Sequence, residues 1–265
     1  MTQKQALRTI TKGFNVFLTG PPGSGKSYVL DCLIKSKYGQ KKKLAICATT
    51  GIAASLIGGV TINSWSGVGV MSYPKERILS ILSNNSYIVR RYIDTELLII
   101  DEISMMDIEL FETIDYLARK LRDTDIPFGG IQIVLCGDFF QLPPIQASRI
   151  SNYLFETNTW QDLALKICYL SEQHRQENDS LFEVLMALRE RRFNKTYLDL
   201  LMDRRMTVEE DILHLVTHNL AADQINLKHL EALPSELTEF NIEYFGDPSL
   251  GKQRLRSLLI KLLIT

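Results

Sequence analysis

Paired cysteines, a surplus of either charge and a long apolar run are all missing from this 265-residue sequence. Cys32, Cys47, Cys136 and Cys168 are scattered, with no C-x-x-C pair and no Cys/His cluster. Neither a disulfide framework nor a zinc site is indicated, and such cysteines read as small buried residues of a reducing intracellular compartment, whether cytoplasm, nucleus or mitochondrion. Lys and Arg total 30 against 31 Asp and Glu. Contact with nucleic acid must therefore come from a local groove and not from global attraction. No apolar run approaches the ~20 residues that span a bilayer, and the opening Met1-Thr-Gln-Lys lacks a signal-peptide core, so no membrane partner is expected. Internal repeats and low-complexity tracts are absent too. What remains, 45% hydrophobic and 23% charged residues, is enough for one large or two modest domains with proper cores.

Short apolar runs alternate with helical patterns. Asn15–Leu18, Leu44–Ala48, Leu97–Ile100, Ile131–Cys136 and Ile167–Leu170 read as strands buried on both faces, which predicts an α/β fold with a mostly parallel sheet. Lys26–Lys37, Ile52–Ile57, Lys75–Arg91 and Ile108–Leu121 carry apolar residues three and four apart, as helices packed on that sheet should. The first unit is expected to cover 1–176, with a small insert near 67–95. Helices over Asp179–Arg192 and Lys195–Arg205 form a linker, 177–210. A second strand–helix–strand is expected from Leu213–Thr217 through Ala221–Leu233 to Glu239–Phe245, and the stretch 211–265 is too short to close a second domain. The dense basic run Lys41-Lys42-Lys43 reads as a solvated loop in preference to a phosphate contact.

The most informative stretch is Gly20-Pro-Pro22-Gly23-Ser24-Gly25-Lys26-Ser27, which follows an apolar run and opens a helical one. Its glycines let successive N–H groups converge, and the helix start adds its positive dipole end, so polyphosphate is the natural guest. In this spacing Lys26 reaches the β- and γ-phosphates and the Ser27 hydroxyl holds Mg²⁺. Downstream, Leu97–Ile100 delivers Asp101 and Glu102 at a strand's carboxyl end, the edge where open α/β sheets bind ligands. Asp101 suits the metal, and Glu102 suits the water that attacks the γ-phosphorus. The strand Ile131–Cys136 ends in Gly137-Asp-Phe-Phe140-Gln141-Leu-Pro-Pro144, where the Gln141 amide can sense a phosphate without carrying charge. Arg175, in Gln173-His-Arg-Gln176, can place a guanidinium on the transferring group. Trp65, Phe139 and Phe140 leave the same edge; each can stack on a base, and core packing competes for each.

Taken in order, G-P-P-G-S-G-K-S, A-T-T-G-I-A-A, D-E-I-S-M, F-G-G-I-Q, G-D-F-F-Q-L-P-P and H-R-Q resemble the Pif/RecD branch of superfamily-one DNA helicases over roughly residues 1 to 245. The resemblance implies a RecA-like P-loop NTPase domain followed by the incomplete start of a second one. It also implies ATP and Mg²⁺ as cofactors, single-stranded DNA as partner, and 5′-to-3′ movement with duplex unwinding in repair, recombination or telomere maintenance. By it, Gln3 reads the adenine, Lys26, Asp101, Glu102, Gln141 and Arg175 carry the chemistry, and Ser27 with Asp101 holds the metal. Thr50, Gly51, Thr61, Asn63, Ser64 and Trp65 face DNA, as do His218 and Asn219 at the entry to the second domain. Asn63 departs from the histidine usual in the family, which removes ring stacking at that contact. The family's T-x-H-K-x-Q-G pattern is missing after Gly246. The polypeptide is accordingly expected to act as a monomer that binds Mg-ATP, hydrolyses it slowly and unwinds little alone. A different reading, a P-loop switch that controls a partner and does not move on DNA, stays open at this point.

Overall fold

Apolar residues on both sides of the central strands organise this chain, because helices cover both faces of one sheet. The computed structural model describes residues 1–69, 73–141, 143, 153–172, 180–204 and 213–232. In chain order these form α1 (Gln3–Thr11), β1 (Val16–Thr19), α2 (Lys26–Lys35), α3 (Lys37–Lys41), β2 (Leu44–Ala48), α4 (Gly51–Leu56), β3 (Val60–Thr61), α5 (Ile62–Ser66), α6 (Lys75–Ser83) and α7 (Ser86–Asp94). They continue with β4 (Leu97–Asp101), α8 (Ile108–Leu121), β5 (Gln132–Cys136), α9 (Asn158–Asp162), β6 (Lys166–Tyr169), α10 (Ser180–Arg189), α11 (Lys195–Met202) and α12 (Asn219–Glu231). The strands make a six-stranded sheet in the order β3-β2-β4-β5-β1-β6, and each neighbouring pair is parallel. All carboxyl ends therefore share one edge. The expected α/β architecture is the one found.

On β4, Leu98 and Ile100 enter a core shared with Phe111, Ile114 and Leu117 of α8, while Leu97 and Ile99 enter one shared with Ile10 of α1 and Leu30 and Leu33 of α2. On β5, Ile133 and Leu135 divide from Val134 and Cys136 in the same way. A two-residue period with both sides apolar is what a central parallel strand needs. Gln132 starts β5 as a buried polar exception. Its Nε2 donates to the Ile10 and Phe14 carbonyls, each at 2.9 Å, and its Oε1 accepts from the Tyr38 hydroxyl at 2.7 Å. Gln132→Leu strands all three partners. Since a buried unsatisfied group costs about 1–3 kcal/mol, a loss of roughly 2–4 kcal/mol is expected in urea unfolding, and a change under 1 kcal/mol would contradict the account.

Some expectations need correction. Lys75–Arg91 is two helices, not one, because the Asn85 side chain accepts from Tyr87 N and Ile88 N, both at 3.2 Å, and restarts the helix as its N-cap. Strand β6 is an edge and not buried on both faces, so Ile167 is 67% exposed. Residues Leu213–Thr217 form no strand, and Glu239–Phe245 lies outside the described residues. The basic run is held by acids: Lys42 meets Glu96 at 3.8 Å and Lys43 meets Asp94 at 3.0 Å. The chain divides into two compact units, Met1–Asp199 and Leu200–Thr265. Within the described part of the second, α12 is the main element.

Candidate functional site

The loop between β1 and α2 depends on glycine. Gly20 has φ +153° and a Cβ there would stand 2.7 Å from the Leu170 carbonyl oxygen and 2.9 Å from Ser24 Oγ. Gly25 caps α2 in the left-handed region, with φ 84° and no side-chain acceptor for the first helical N–H groups. Those donors face the loop's hollow, where the helix dipole adds positive potential. Lys26 curls back, its Nζ donating to Gly20 O at 2.8 Å and Pro21 O at 3.3 Å. Ser24 Oγ is fully buried with no hydrogen-bond partner among the described residues. Gln3 comes to this loop from α1, Nε2 donating to Ser24 O at 3.1 Å, while its backbone N–H reaches Glu172 Oε2 at 3.2 Å.

At the end of β4, Asp101 is buried and its Oδ1 accepts from Glu102 N at 2.9 Å. Burial, then the nearby Asp101 charge, hold the Cys136 thiol well above its ordinary pKa. Glu102 adopts φ 55°, a left-handed conformation that a non-glycine residue takes only when its surroundings enforce it. Thr49 supplies that constraint: its Oγ1 donates to Glu102 O at 2.9 Å and its N–H to Asp101 O at 3.2 Å. Burial pushes the Glu102 carboxyl above the ordinary range; Asp101 and Asp138 add to the rise and Lys26 opposes it. Lys26, Asp101 and Asp138 are thus each within electrostatic reach of Glu102. Gly137 packs so closely that a Cβ on it would meet Ile103 N at 2.9 Å, which locks the segment after β5 against the one after β4.

Gln141 and Glu102 line the same groove of about 720 Å³, together with Thr50, Ile52, Ala53, Leu56, Ser104, Met105, Phe140 and Pro143. Thr50 caps α4, its side chain accepting from Ala53 N at 3.2 Å. Thr61 caps α5 by accepting from Ser64 N at 3.3 Å, and Asn63 Nδ2 donates to Gly69 O at 2.9 Å. Phe140 is 68% exposed, whereas Phe139 packs against Phe17, Phe155 and Trp160. Trp65 requires correction. Only 4% exposed, it lies 4.9 Å from the Tyr92 ring beneath the two insert helices. Its face is not available for stacking on a base. Arg175 lies outside the described residues. His218 caps α12 in the second unit with Thr217 Oγ1 2.9 Å from its Nδ1, followed by Asn219 as the first helical residue.

Sequence reasoning missed Thr49, whose anchoring role only the register shows, and Arg189. The guanidinium of Arg189 meets both Asp138 oxygens, at 2.8 and 2.6 Å, and sits 4.4 Å from the Phe140 ring centroid. Burial disfavours the Arg189 charge, but bonds to Asp138 and Tyr169 outweigh it and raise its pKa. For Mg²⁺, the loop and β4 offer the Ser27 hydroxyl and the Asp101 carboxylate, hard oxygen donors of the kind this ion shares with phosphate oxygens and water. No group of three His, Cys, Asp or Glu that could hold a metal occurs among the described residues. Nor is any helix among them long and apolar enough to cross a membrane. All four cysteines are free.

Comparison with known proteins gives a consistent picture. Residues 1–205 match the model of the PIF1-like helicase family. The chain is 38% identical over 272 residues to an ATP-dependent DNA helicase Pif1 of Psychrobacter, an alignment covering 97% of this chain and 41% of that protein. It is 35% identical to the ATP-dependent DNA helicase RRM3 of Saccharomyces cerevisiae, over 91% of this chain and 35% of that one. The chain therefore spans about two fifths or less of these relatives. Among solved structures, it is similar to the Pif1 helicase of Candida albicans, with TM-score 0.81 and 30% identity over 96% of this chain and 60% of that one. A Bacteroides Pif1 helicase in complex with ADP-AlF3 and single-stranded DNA matches with TM-score 0.71 and 28% identity, over 91% of this chain and 61% of that one.

Proposed function

This chain belongs to the PIF1-like helicase family, and on that premise we propose that it is the ATP-binding portion of an ATP-dependent DNA helicase that moves on single-stranded DNA and unwinds duplexes during repair, recombination or telomere maintenance. The observation that carries the reading is the convergence of Lys26, Glu102 and Gln141 at one edge of one sheet, beside a groove rimmed by Phe140. Lys26 exchanges its bonds to the Gly20 and Pro21 carbonyls for bonds to the β- and γ-phosphates, with the loop N–H groups around them. Gln3 presents its amide to the adenine. Ser27 and Asp101 would hold Mg²⁺, which would supply positive charge against the triphosphate. Glu102 takes a proton from the attacking water, and a carboxyl held above its ordinary pKa is the stronger base for that step. Gln141 donates its amide to a γ-phosphate oxygen, and Arg175 completes the charge clamp by resemblance to the family.

On the DNA side, Thr50, Gly51, Thr61, Asn63 and Ser64 take the strand's backbone, Phe140 stacks on a base, and His218 with Asn219 acts from the second unit. The relatives' structures with single-stranded DNA support that choice of partner. Base stacking contributes about 1–3 kcal/mol per base, so Phe140→Ala should weaken oligothymidylate binding roughly 5- to 150-fold in fluorescence anisotropy. The reading as a whole is tested by titrating ATP turnover with the same oligonucleotide. Stimulation is expected. Turnover indifferent to DNA would end the motor reading and favour a nucleotide switch.

A further inference from the structure

The turn that carries both Phe140 and Gln141 is not held by the sheet alone. Asp138, only 1% exposed, spends its carboxylate in two directions: Oδ1 accepts from Phe140 N at 3.2 Å, and both oxygens accept from Arg189 Nη1 at 2.8 and 2.6 Å. Its backbone carbonyl also accepts from Gln141 N at 2.9 Å. One residue thus sets the conformation of both neighbours, and its charge is met by the last residue of α10, 51 positions away. Arg189 is itself nine-tenths buried, at 10% side-chain exposure.

The same guanidinium lies 4.4 Å from the centroid of Phe140, with the Tyr169 ring 5.9 Å away on the end of β6. Phe140 is nonetheless 68% exposed, so the guanidinium covers one part of the ring while much of it stays open to the groove. A planar cation packed on an aromatic ring restrains its tilt and leaves the opposite face for a further flat group, such as a base. A buried ion pair serving packing alone could sit anywhere in the core. This one sits at the point where the phosphate-facing amide and the base-facing ring leave the same turn. These contacts form one continuous chain, from Gln141 N to the Asp138 backbone carbonyl, from the Asp138 carboxylate to Arg189, and from Arg189 to the Phe140 ring.

Resting on the nucleotide and DNA roles set out above, we propose that Arg189 is a positioning residue that couples the nucleotide at Gln141 to the affinity of the Phe140 face for single-stranded DNA. It acts through Asp138 and touches neither ligand's reacting atoms. Allosteric couplings of this kind typically change affinity about 5- to 150-fold.

The test uses the whole chain, a fluorescein-labelled oligothymidylate, and Mg²⁺ with either ADP or the non-hydrolysable analogue AMPPNP. In the wild type the oligonucleotide Kd should differ at least about fivefold between the two nucleotides. Arg189→Gln should bring that ratio to within about twofold of unity, with the affinity for a fluorescent AMPPNP analogue within threefold of wild type. Arg189→Lys keeps the charge but loses the planar stack, and should restore only part of the ratio. Should Arg189→Gln fail to fold, Phe140→Leu removes the ring under an intact ion pair, and the ratio must fall there also. A full wild-type ratio in Arg189→Gln, or in folded Phe140→Leu, overturns the proposal. So does a wild-type chain that binds both ligands with a ratio of one. A wild-type chain that binds neither AMPPNP nor oligonucleotide overturns instead the helicase reading on which the proposal rests.

Discussion

Glu102→Gln is expected to lower ATP turnover by about 10²- to 10⁴-fold, the contribution of a positioned general base, while Mg-ATP still binds. Glutamine keeps the size of the side chain and cannot take the proton. The same change should stabilise the protein at alkaline pH. Burial, and secondarily Asp101, raise the Glu102 carboxyl above the ordinary range despite Lys26. The folded state then holds this proton more tightly than the unfolded chain does. Ionised Glu102 therefore costs stability at pH values above its raised pKa, and the cost disappears as pH falls through that value towards the ordinary carboxylate pKa. This is the reverse of the usual ion-paired carboxylate. In metal-free buffer, the urea midpoint of Glu102→Gln should exceed that of the wild type at pH 8, and the gap should close by about pH 4, near the unperturbed carboxylate value. Wild-type turnover in the variant would remove Glu102 from the mechanism, and identical midpoints at both pH values would contradict its electrostatic setting.

Lys26→Ala should weaken ATP binding by about 10- to 100-fold, because a hydrogen bond to a charged group contributes roughly 1.5–3 kcal/mol and the side chain is proposed to serve two phosphates. ADP, lacking the γ-phosphate, should lose less. The folded state should survive, since Lys26 meets only the Gly20 and Pro21 carbonyls of its own loop. Isothermal titration with each nucleotide separates the cases. Equal losses for ATP and ADP would place Lys26 away from the γ-phosphate, and no loss for either would take it out of the nucleotide site.

How far the site was legible depends on how local its causes are. Gly20 to Ser27 declared itself because positive backbone angles and a helix start are properties of adjacent residues. Asp101 and Glu102 did so because a run of four apolar residues can only be an interior strand in this pattern, and its end is fixed by the first charge. The reading of Trp65 went astray for the opposite reason. Its own neighbours, Ser64 and Ser66-Gly67, look like an exposed turn. What buries the ring is the insert, through Tyr92, whose hydroxyl donates to Ser66 O at 3.1 Å, and through Arg91, which donates to Ser64 O at 2.8 Å. The break at Asn85 was not read, because apolar residues three and four apart continue on either side of it.

From the order of residues alone follow the phosphate loop, the acidic pair, the parallel α/β sheet and the family, since each rests on short spacings that backbone geometry and burial convert into one conformation. Folding in three dimensions was needed to bring Arg189 onto Asp138 and Phe140, to set Thr49 under the strained Glu102, and to take Trp65 out of the groove. Those contacts join residues 27 to 53 positions apart. No periodicity encodes such a pairing, because which side chains meet across the sheet edge is decided by the packing of whole helices against it.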